Sequence, residues 1–456
     1  MYRHSIEDLK KWFNKKRRKP LIIRGARQVG KSTLIRHFAK EEKITLYEIN
    51  LERHRKLNSL FRDGSTEEVL KELEYICGKG SLLKGRSLLF LDEIQATPDA
   101  IAFLRYLYEE YPDLAVVSAG SLLEFTLSKH SYSMPVGRIE YLFLGPMLFS
   151  EFLLAHKEND LYELLNKYRS GVIPLSAHER LLQQFRNYLL VGGMPEAVFA
   201  SCEGEGSESI SDAHSGIIET YLDDFNKYGK SSQFERLQTV FRYVPSNVGQ
   251  KVKYSHIDPQ NQARDLKAAI ELLRKAGVIM GAYHCDGNGL PLRSEINLKV
   301  QKLYFLDVGL LNNLCGVQHI SMESLSSHEF INRGALAEQF VAQHIHLNGG
   351  RNRTPELNYW LREGKSNNAE IDFLLPHNGQ IFPIEVKSGK SGSLKSLHRF
   401  MHDKKSPYAI RFDLNRPSQQ TVDVGFKVGS GSTRVTYQIN SYPVYLAEYL
   451  NNLIDG

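Results

Sequence analysis

From residue 20 the chain alternates between short apolar runs and longer stretches in which apolar residues recur every three or four positions. LIIRG (21–25), ITLYEINL (44–51), SLLFLDEIQ (87–95), LAVVSAGS (114–121) and IEYLFLGPM (139–147) read as strands. KSTLIRHFAKEE, STEEVLKELEYICG and PDAIAFLRYLYEEY, which lie between them, read as helices. The second of these opens on a Ser/Thr cap and an acidic first turn. Strands alternating with helices predict a parallel sheet covered on both faces. A short amphipathic helix over 5–16 precedes them and runs into the basic stretch Lys15 to Lys19, which reads as a solvated face or loop.

The pattern changes after Pro146. SEFLLAHKENDLYELLNKY and HERLLQQFRNYLL have helical periodicity, and SCEGEGSESISD (201–212) has the composition of an exposed acidic linker. Residues 212–275 are mostly helical in pattern and lead into the strand VIMGAYHC. GALAEQFVAQHIHLN opens a last region of strands and loops. The expected division is a parallel α/β core over 1–150, a helical lid and linker over 151–232, a winged-helix-like region over 233–320 and a C-terminal module over 321–456. The fold class expected is multidomain α/β.

Composition narrows the class. A chain of 456 residues exceeds one compact core. A hydrophobic share of 42% and a charged share of 24% are those of a folded protein. The net charge of +6 permits a nucleic-acid partner without requiring one. Cys77, Cys202, Cys285 and Cys315 are too dispersed for a disulfide framework or a zinc site, which points to a reducing compartment. The first residues lack a signal-type apolar segment, and no apolar run is long enough for a bilayer, so the expectation is a cytoplasmic protein without a membrane partner.

GARQVGKS, Gly25 to Ser32, fits GxxxxGK[ST] between a strand and a helix. In such a loop the backbone N–H groups of Gly25, Ala26, Arg27, Gln28, Val29 and Gly30 curl around phosphate, and the helix beginning near Lys31, Ser32 and Thr33 adds its positive end. Lys31 would reach the β- and γ-phosphates of ATP, and the Ser32 hydroxyl would ligate magnesium. LLFLDEI places Asp92 and Glu93 at the C-terminal end of a buried strand, where ligands of open α/β sheets bind. Asp92 is expected on the metal and Glu93 on the attacking water. Ser118 or Ser121 of SAGSLLEF is placed to meet the γ-phosphate or that water. Arg138 of PVGR is a candidate finger, in cis or from a neighbouring copy, or else a salt-bridged structural residue.

GARQVGKST, LLFLDEIQ, SAGSLLEF, PVGRIEYLFLGPMLFSEFL, VGGMPEAV, KLYFLDVGLLN and the pair AEIDFLL and IEVKSG together resemble the AAA-type prokaryotic ATPases that carry a C-terminal domain of unknown function. The resemblance covers nearly the whole chain. It implies an ATPase core of five parallel strands, a helical and winged-helix-like middle, and a restriction-endonuclease-like end.

AEIDFLLPHNGQIFPIEVKSG reads as a hairpin about Asn378-Gly379, a dipeptide preferred in two-residue type I′ turns. That turn sets His377 opposite Gln380, Asp372 opposite Glu385 and Glu370 opposite Lys387, all on one face. Facing acids repel, so a cation is expected between them, either Lys387 or a metal. An Asp followed by Glu-x-Lys on the next strand is the layout of a PD-(D/E)xK nuclease, in which the acids hold magnesium and the lysine orients water. Glu338 matches a further acid on the preceding helix. A module that keeps the fold and only binds a partner remains the alternative.

The three helical stretches 235–250, 255–262 and 263–279, followed by a wing-like GAYHCDGNGLPLRS, resemble a winged helix. Arg264, Lys267, Arg274 and Lys275 are then candidates for phosphate contact, or the charged outer face of an amphipathic helix. The reading is an ATP- and magnesium-dependent switch or motor acting on DNA or RNA, with a nuclease output in view. Its rival is a signalling ATPase that assembles with itself or with a protein partner.

Overall fold

The computed structural model describes residues 1–120, 135, 137–228, 231–316, 334–348, 356–363, 368–387, 394–428 and 431–455. The N-terminal part contains α1 (Ser5–Phe13), β1 (Leu21–Arg24), α2 (Lys31–Glu41), β2 (Thr45–Asn50), α3 (Leu57–Asp63), α4 (Thr66–Cys77), β3 (Ser87–Asp92), α5 (Asp99–Glu110), β4 (Ala115–Ala119) and β5 (Glu140–Phe143). Its five strands pair in parallel in the order β2-β3-β4-β1-β5, as the alternating pattern predicts.

Both faces of this sheet are covered. Leu21, Ile23, Leu88 and Phe90 point into one apolar cluster with α1 and α2, while Ile22, Leu89 and Leu91 point into another with α3, α4 and α5. The expected cap on α4 is a full capping box between Ser65 and Glu68.

Next come α6 (Phe149–Ala155), α7 (Asn159–Lys167), α8 (Leu175–Val191), α9 (Pro195–Glu203) and α10 (Gly206–Tyr228). The stretch 201–212 is therefore helix rather than the expected linker, broken only around Gly204, whose left-handed φ of 72° caps α9. Its Glu residues and Ser207 are exposed, while Ile217, Tyr221 and Phe225 further along α10 are buried at four-residue spacing. Polar composition here marked the outer face of a helix.

The middle continues with α11 (Ser231–Ser246), α12 (Tyr254–Ile257), α13 (Ala263–Lys275), β6 (Ile279–Cys285) and β7 (Ile296–Phe305). Three helices and an antiparallel strand pair follow one another in the predicted order. The remainder is α14 (Val308–Leu314), α15 (Gly334–Leu347), β8 (Leu357–Arg362), β9 (Ala369–Ile371), β10 (Phe373–His377), β11 (Gln380–Val386), α16 (Lys395–Lys404), β12 (Tyr408–Asp413), β13 (Ser418–Val428), β14 (Gly431–Pro443) and α17 (Leu450–Asp455). Its five-stranded sheet runs β10-β11-β12-β14-β13 with mixed directions.

β6 also pairs in parallel with β8, so β7-β6-β8-β9 form one sheet that crosses the division expected near residue 320. Among the described residues, no helix is long and apolar enough to cross a membrane.

Candidate functional site

The loop between β1 and α2 turns sharply because Gly25, at a φ of 145°, passes against the backbone of β5's end. A Cβ there would sit 1.9 Å from the Leu144 carbonyl oxygen. Gly30, with a φ of 89°, then leads into α2. The backbone N–H groups at this helix start are aimed where an anion would lie.

Lys31 is buried and donates to the carbonyls of Gly25 at 3.1 Å and Ala26 at 2.7 Å. Burial pulls its pKa down to about 8, against the opposing charges of Glu93 and Asp92. The Ser32 hydroxyl donates to Asp92 Oδ2 at 2.8 Å, joining the first turn of α2 to the end of β3. Burial raises Asp92, the Ser32 hydrogen bond lowers it, and the neighbouring Glu93 charge raises it again. A hydroxyl and a destabilised carboxylate oxygen side by side are hard donors that fit magnesium. Thr33 lies on the exposed side of α2.

Glu93 has a left-handed φ of 52°, a conformation that costs free energy in a non-glycine residue. Gln95 Nε2 donates to the Glu93 carboxylate. The Gln95 side chain lies across Gly120 at the end of β4, where a Cβ would approach its Oε1 to 2.2 Å. Ser118 is buried in β4, its Oγ without a partner among the described residues. Ser121 lies outside the described residues.

Three supports of this loop were not foreseen. Tyr221 on α10 donates its hydroxyl to the Arg27 carbonyl at 3.0 Å. Asp224, one turn on, forms an ion pair with the Arg27 side chain. Arg3 donates to the Val29 carbonyl at 2.9 Å, to Gly145 at 2.7 Å, and pairs with buried Glu151 at 3.0 Å. Arg27 is thus engaged with the helical region, and Gln28 is exposed with a φ of 61°. Only the 3–4 periodicity of α10 could have hinted at Tyr221 and Asp224. Nothing in the sequence marks Arg3.

Arg138 is not beside this loop. It precedes β5, the strand next to β1, at the end of the strands away from the P-loop, and pairs with Glu109 at 3.0 Å. Parallel pairing of β1 and β5 puts the two at opposite ends of their strands, so that in this structure Arg138 faces Glu109 and not the P-loop.

The second centre lies at the junction of the middle and the C-terminal module. The predicted turn is present: His377 pairs with Gln380, and Asn378 and Gly379 have φ values of 45° and 80°. Asp372 lies where the strand breaks between β9 and β10, and its Oδ2 accepts from the Val386 N–H at 2.7 Å. Glu370 is not opposite Lys387. It pairs with Leu361 of β8, because the break lets β9 leave the hairpin for the other sheet.

Lys387 holds Glu385 at 2.5 Å. The cation among the other acids is Lys302 of β7, which the sequence reading missed. It lies 3.1 Å from Glu338 Oε1, in close contact with Glu370 and 3.9 Å from Asp372 Oδ1. Tyr304 donates to Glu338 at 2.5 Å. Burial would depress Lys302, but the charges of Glu338, Asp372 and Glu370 outweigh it and hold the ammonium form. Burial raises Asp372 well above the usual carboxylate range, and the charges of Glu338 and Glu385 add to it. Among the described residues no three His, Cys, Asp or Glu side chains are grouped to hold a metal ion. Glu338, Asp372 and Glu385 as they stand are therefore not a metal cage.

Arg264 and Lys267 on α13 are exposed, whereas Arg274 pairs with Glu271 at 2.7 Å and lies over the Tyr283 ring. Lys275 is exposed.

Three families match in succession: an AAA domain over residues 17–153, a domain of unknown function (DUF8612) over 182–321, and a domain of unknown function (DUF4143) over 333–424. No curated protein matches. Among solved structures, the Aeropyrum pernix ORC1 protein in complex with DNA aligns at 13% identity over 69% of this chain and 93% of that one, with a TM-score of 0.24. Unliganded Pif1 from Bacteroides sp. aligns at 16% identity over 37% of this chain and 50% of that one, with a TM-score of 0.21. Scores this low leave the argument to the chain's own residues. An AAA domain thus matches at one end of the chain and DUF4143 at the other, the pairing that its sequence motifs resemble.

Proposed function

We propose that the protein is an ATP-hydrolysing switch that acts on nucleic acid. The observation that carries this is the convergence of Lys31, Ser32, Asp92 and Glu93 on the loop Gly25 to Ser32. In this reading Lys31 leaves the carbonyls of Gly25 and Ala26 for the β- and γ-phosphates. Ser32 and Asp92 hold magnesium. Glu93, positioned by Gln95, polarises the attacking water.

A path from this site to a nucleic-acid face runs through α13. Its exposed N-terminal half carries Arg264 and Lys267. Its end reaches Gly277, whose Cα-bearing face lies against Ala26 of the P-loop. A cavity of about 340 Å³ is lined by Gly25, Ala26 and Gly120 on one side and by Arg274, Lys275 and Gly277 on the other. A γ-phosphate that shifts Ala26 would therefore press on the helix that presents the basic residues. The bases Arg264 and Lys267 offer are phosphate contacts, which position without reading sequence.

The test is ATP turnover with magnesium, alone and with single- and double-stranded DNA and RNA. The expected result is stimulation by at least one nucleic acid, reduced by Arg264→Ala with Lys267→Ala. Turnover indifferent to every nucleic acid would favour a signalling ATPase instead.

A further inference from the structure

The two-strand layout around Asp372, Glu385 and Lys387 suits a divalent metal, yet the charge that occupies it comes from elsewhere in the chain. β7 of the middle region sends Lys302 and Tyr304, two residues apart and so on one face, into the acids of α15 and β9. The Lys302 side chain is 0% exposed. An ammonium group is not buried without partners, and this one has Glu338, Glu370 and Asp372, with the Tyr359 ring 5.0 Å below. Lys387 meanwhile takes Glu385.

Four carboxylates face two lysines, and one buried oxygen, Glu385 Oε2, has no partner among the described residues. The centre thus keeps one oxygen aimed inward while Lys302 holds the oxygens of Glu338 and Asp372 that a metal would need. A divalent cation among those same oxygens would lie within a few ångströms of the ammonium, where two positive charges repel strongly. Lysine and metal are alternatives at this point.

We propose that Lys302 is the resident cation of this acidic centre, so that the middle region keeps the C-terminal module closed to divalent metal while β7 stays docked. The inference concerns the second centre alone and does not depend on ATP turnover at the first. It also says why a nuclease-like layout is present without a metal cage: the cage is incomplete for as long as Lys302 fills it.

Manganese serves as the probe, titrated into nucleotide-free full-length protein and followed by electron paramagnetic resonance and by thermal melting. Wild type and Glu385→Gln should give the same isotherm, since any weak binding then belongs to the P-loop. Lys302→Met should gain one Mn²⁺ site at least tenfold tighter than any in wild type, and its melting temperature should rise with Mn²⁺. The double variant Lys302→Met, Glu385→Gln should lose both gains. A folded Lys302→Met protein with no new site would overturn the proposal. So would a wild-type site removed by Glu385→Gln, a comparison that decides the matter even where Lys302→Met does not fold.

Discussion

Lys31 and Lys302 are both buried lysines close to strand-end acids, and they differ in what their ammonium groups hold. Lys31 donates to the neutral carbonyls of Gly25 and Ala26, and the nearby acid Asp92 shares a hydrogen bond with Ser32 instead. Lys302 is gripped by three carboxylates. Exchanging a neutral carbonyl for a phosphate is favourable for Lys31, because burial disfavours its charge until an anion arrives. Lys302 has its counter-charge already, and drawing it out would leave several buried acids uncompensated. The first centre is built to receive charge from outside, and the second is satisfied from within.

The sharpest break of this comparison is at the first centre. Lys31→Ala should abolish productive ATP binding, measured by calorimetric titration with magnesium. Glu93→Gln should bind ATP but hydrolyse it about 10²–10⁴-fold more slowly, the usual range for a lost general base. Normal turnover in Glu93→Gln would remove Glu93 from the chemistry.

At the second centre the expected loss is stability. Removing one partner from a buried ionic cluster typically costs about 3–5 kcal/mol. Lys302→Met should therefore melt far below wild type in the presence of a chelator, while Lys387→Met, whose lysine is partly exposed, should cost less. Equal effects would mean that the two lysines share one role.

The joint between the centres is sensitive to acid. His344 on α15 accepts from the Phe149 N–H at 3.0 Å through Nε2 and donates through Nδ1 to the Phe340 carbonyl at 2.8 Å. Burial lowers its pKa from 6.5 to about 4. Between those values the unfolded chain binds the extra proton, so stability present above pH 6.5 is lost as the pH falls towards 4. The full loss is on the order of 3 kcal/mol. Denaturant titrations across that range should show it, and His344→Gln should flatten the acid limb.

The smallest effect is expected at Arg138. Its pair with Glu109 is exposed and screened by water, so Arg138→Ala should melt like wild type. If Arg138 serves a neighbouring copy, mixing Arg138→Ala with Lys31→Ala should restore part of the turnover that each lacks. A strictly monomeric protein with normal turnover would remove that role.

The parallel core was legible because fully buried strands such as Ser87–Asp92 are written as unbroken apolar runs. The P-loop and the Asn378-Gly379 turn were legible because each depends on local backbone chemistry. Lys302 was not, since its partners lie on a helix and a strand much later in the chain and its own neighbours, LKVQKLYF, read as an ordinary polar strand. Arg3 and Tyr221 escaped for the same reason: each acts on a carbonyl that only the folded chain brings near. Glu370 was misplaced because alternation counts residues and cannot foresee the break at Asp372 that sends β9 to another sheet.

The pairing of β6 with β8 bears on how the polypeptide is made and how it can be cut. As synthesis proceeds, β6 and β7 emerge together, but β6 keeps one edge open until α15 and then β8 have followed. An open strand edge recruits whatever strand it meets, so this interval is when the nascent chain is most exposed to mispairing. A cut near residue 321 would make the interval permanent: the upstream piece would keep the bare edge of β6, and the downstream piece would carry Glu338, Glu370 and Asp372 without their lysine. Neither fragment reproduces the half of the protein it came from, because β6 and β8, and Lys302 and its acids, lie on opposite sides of the cut.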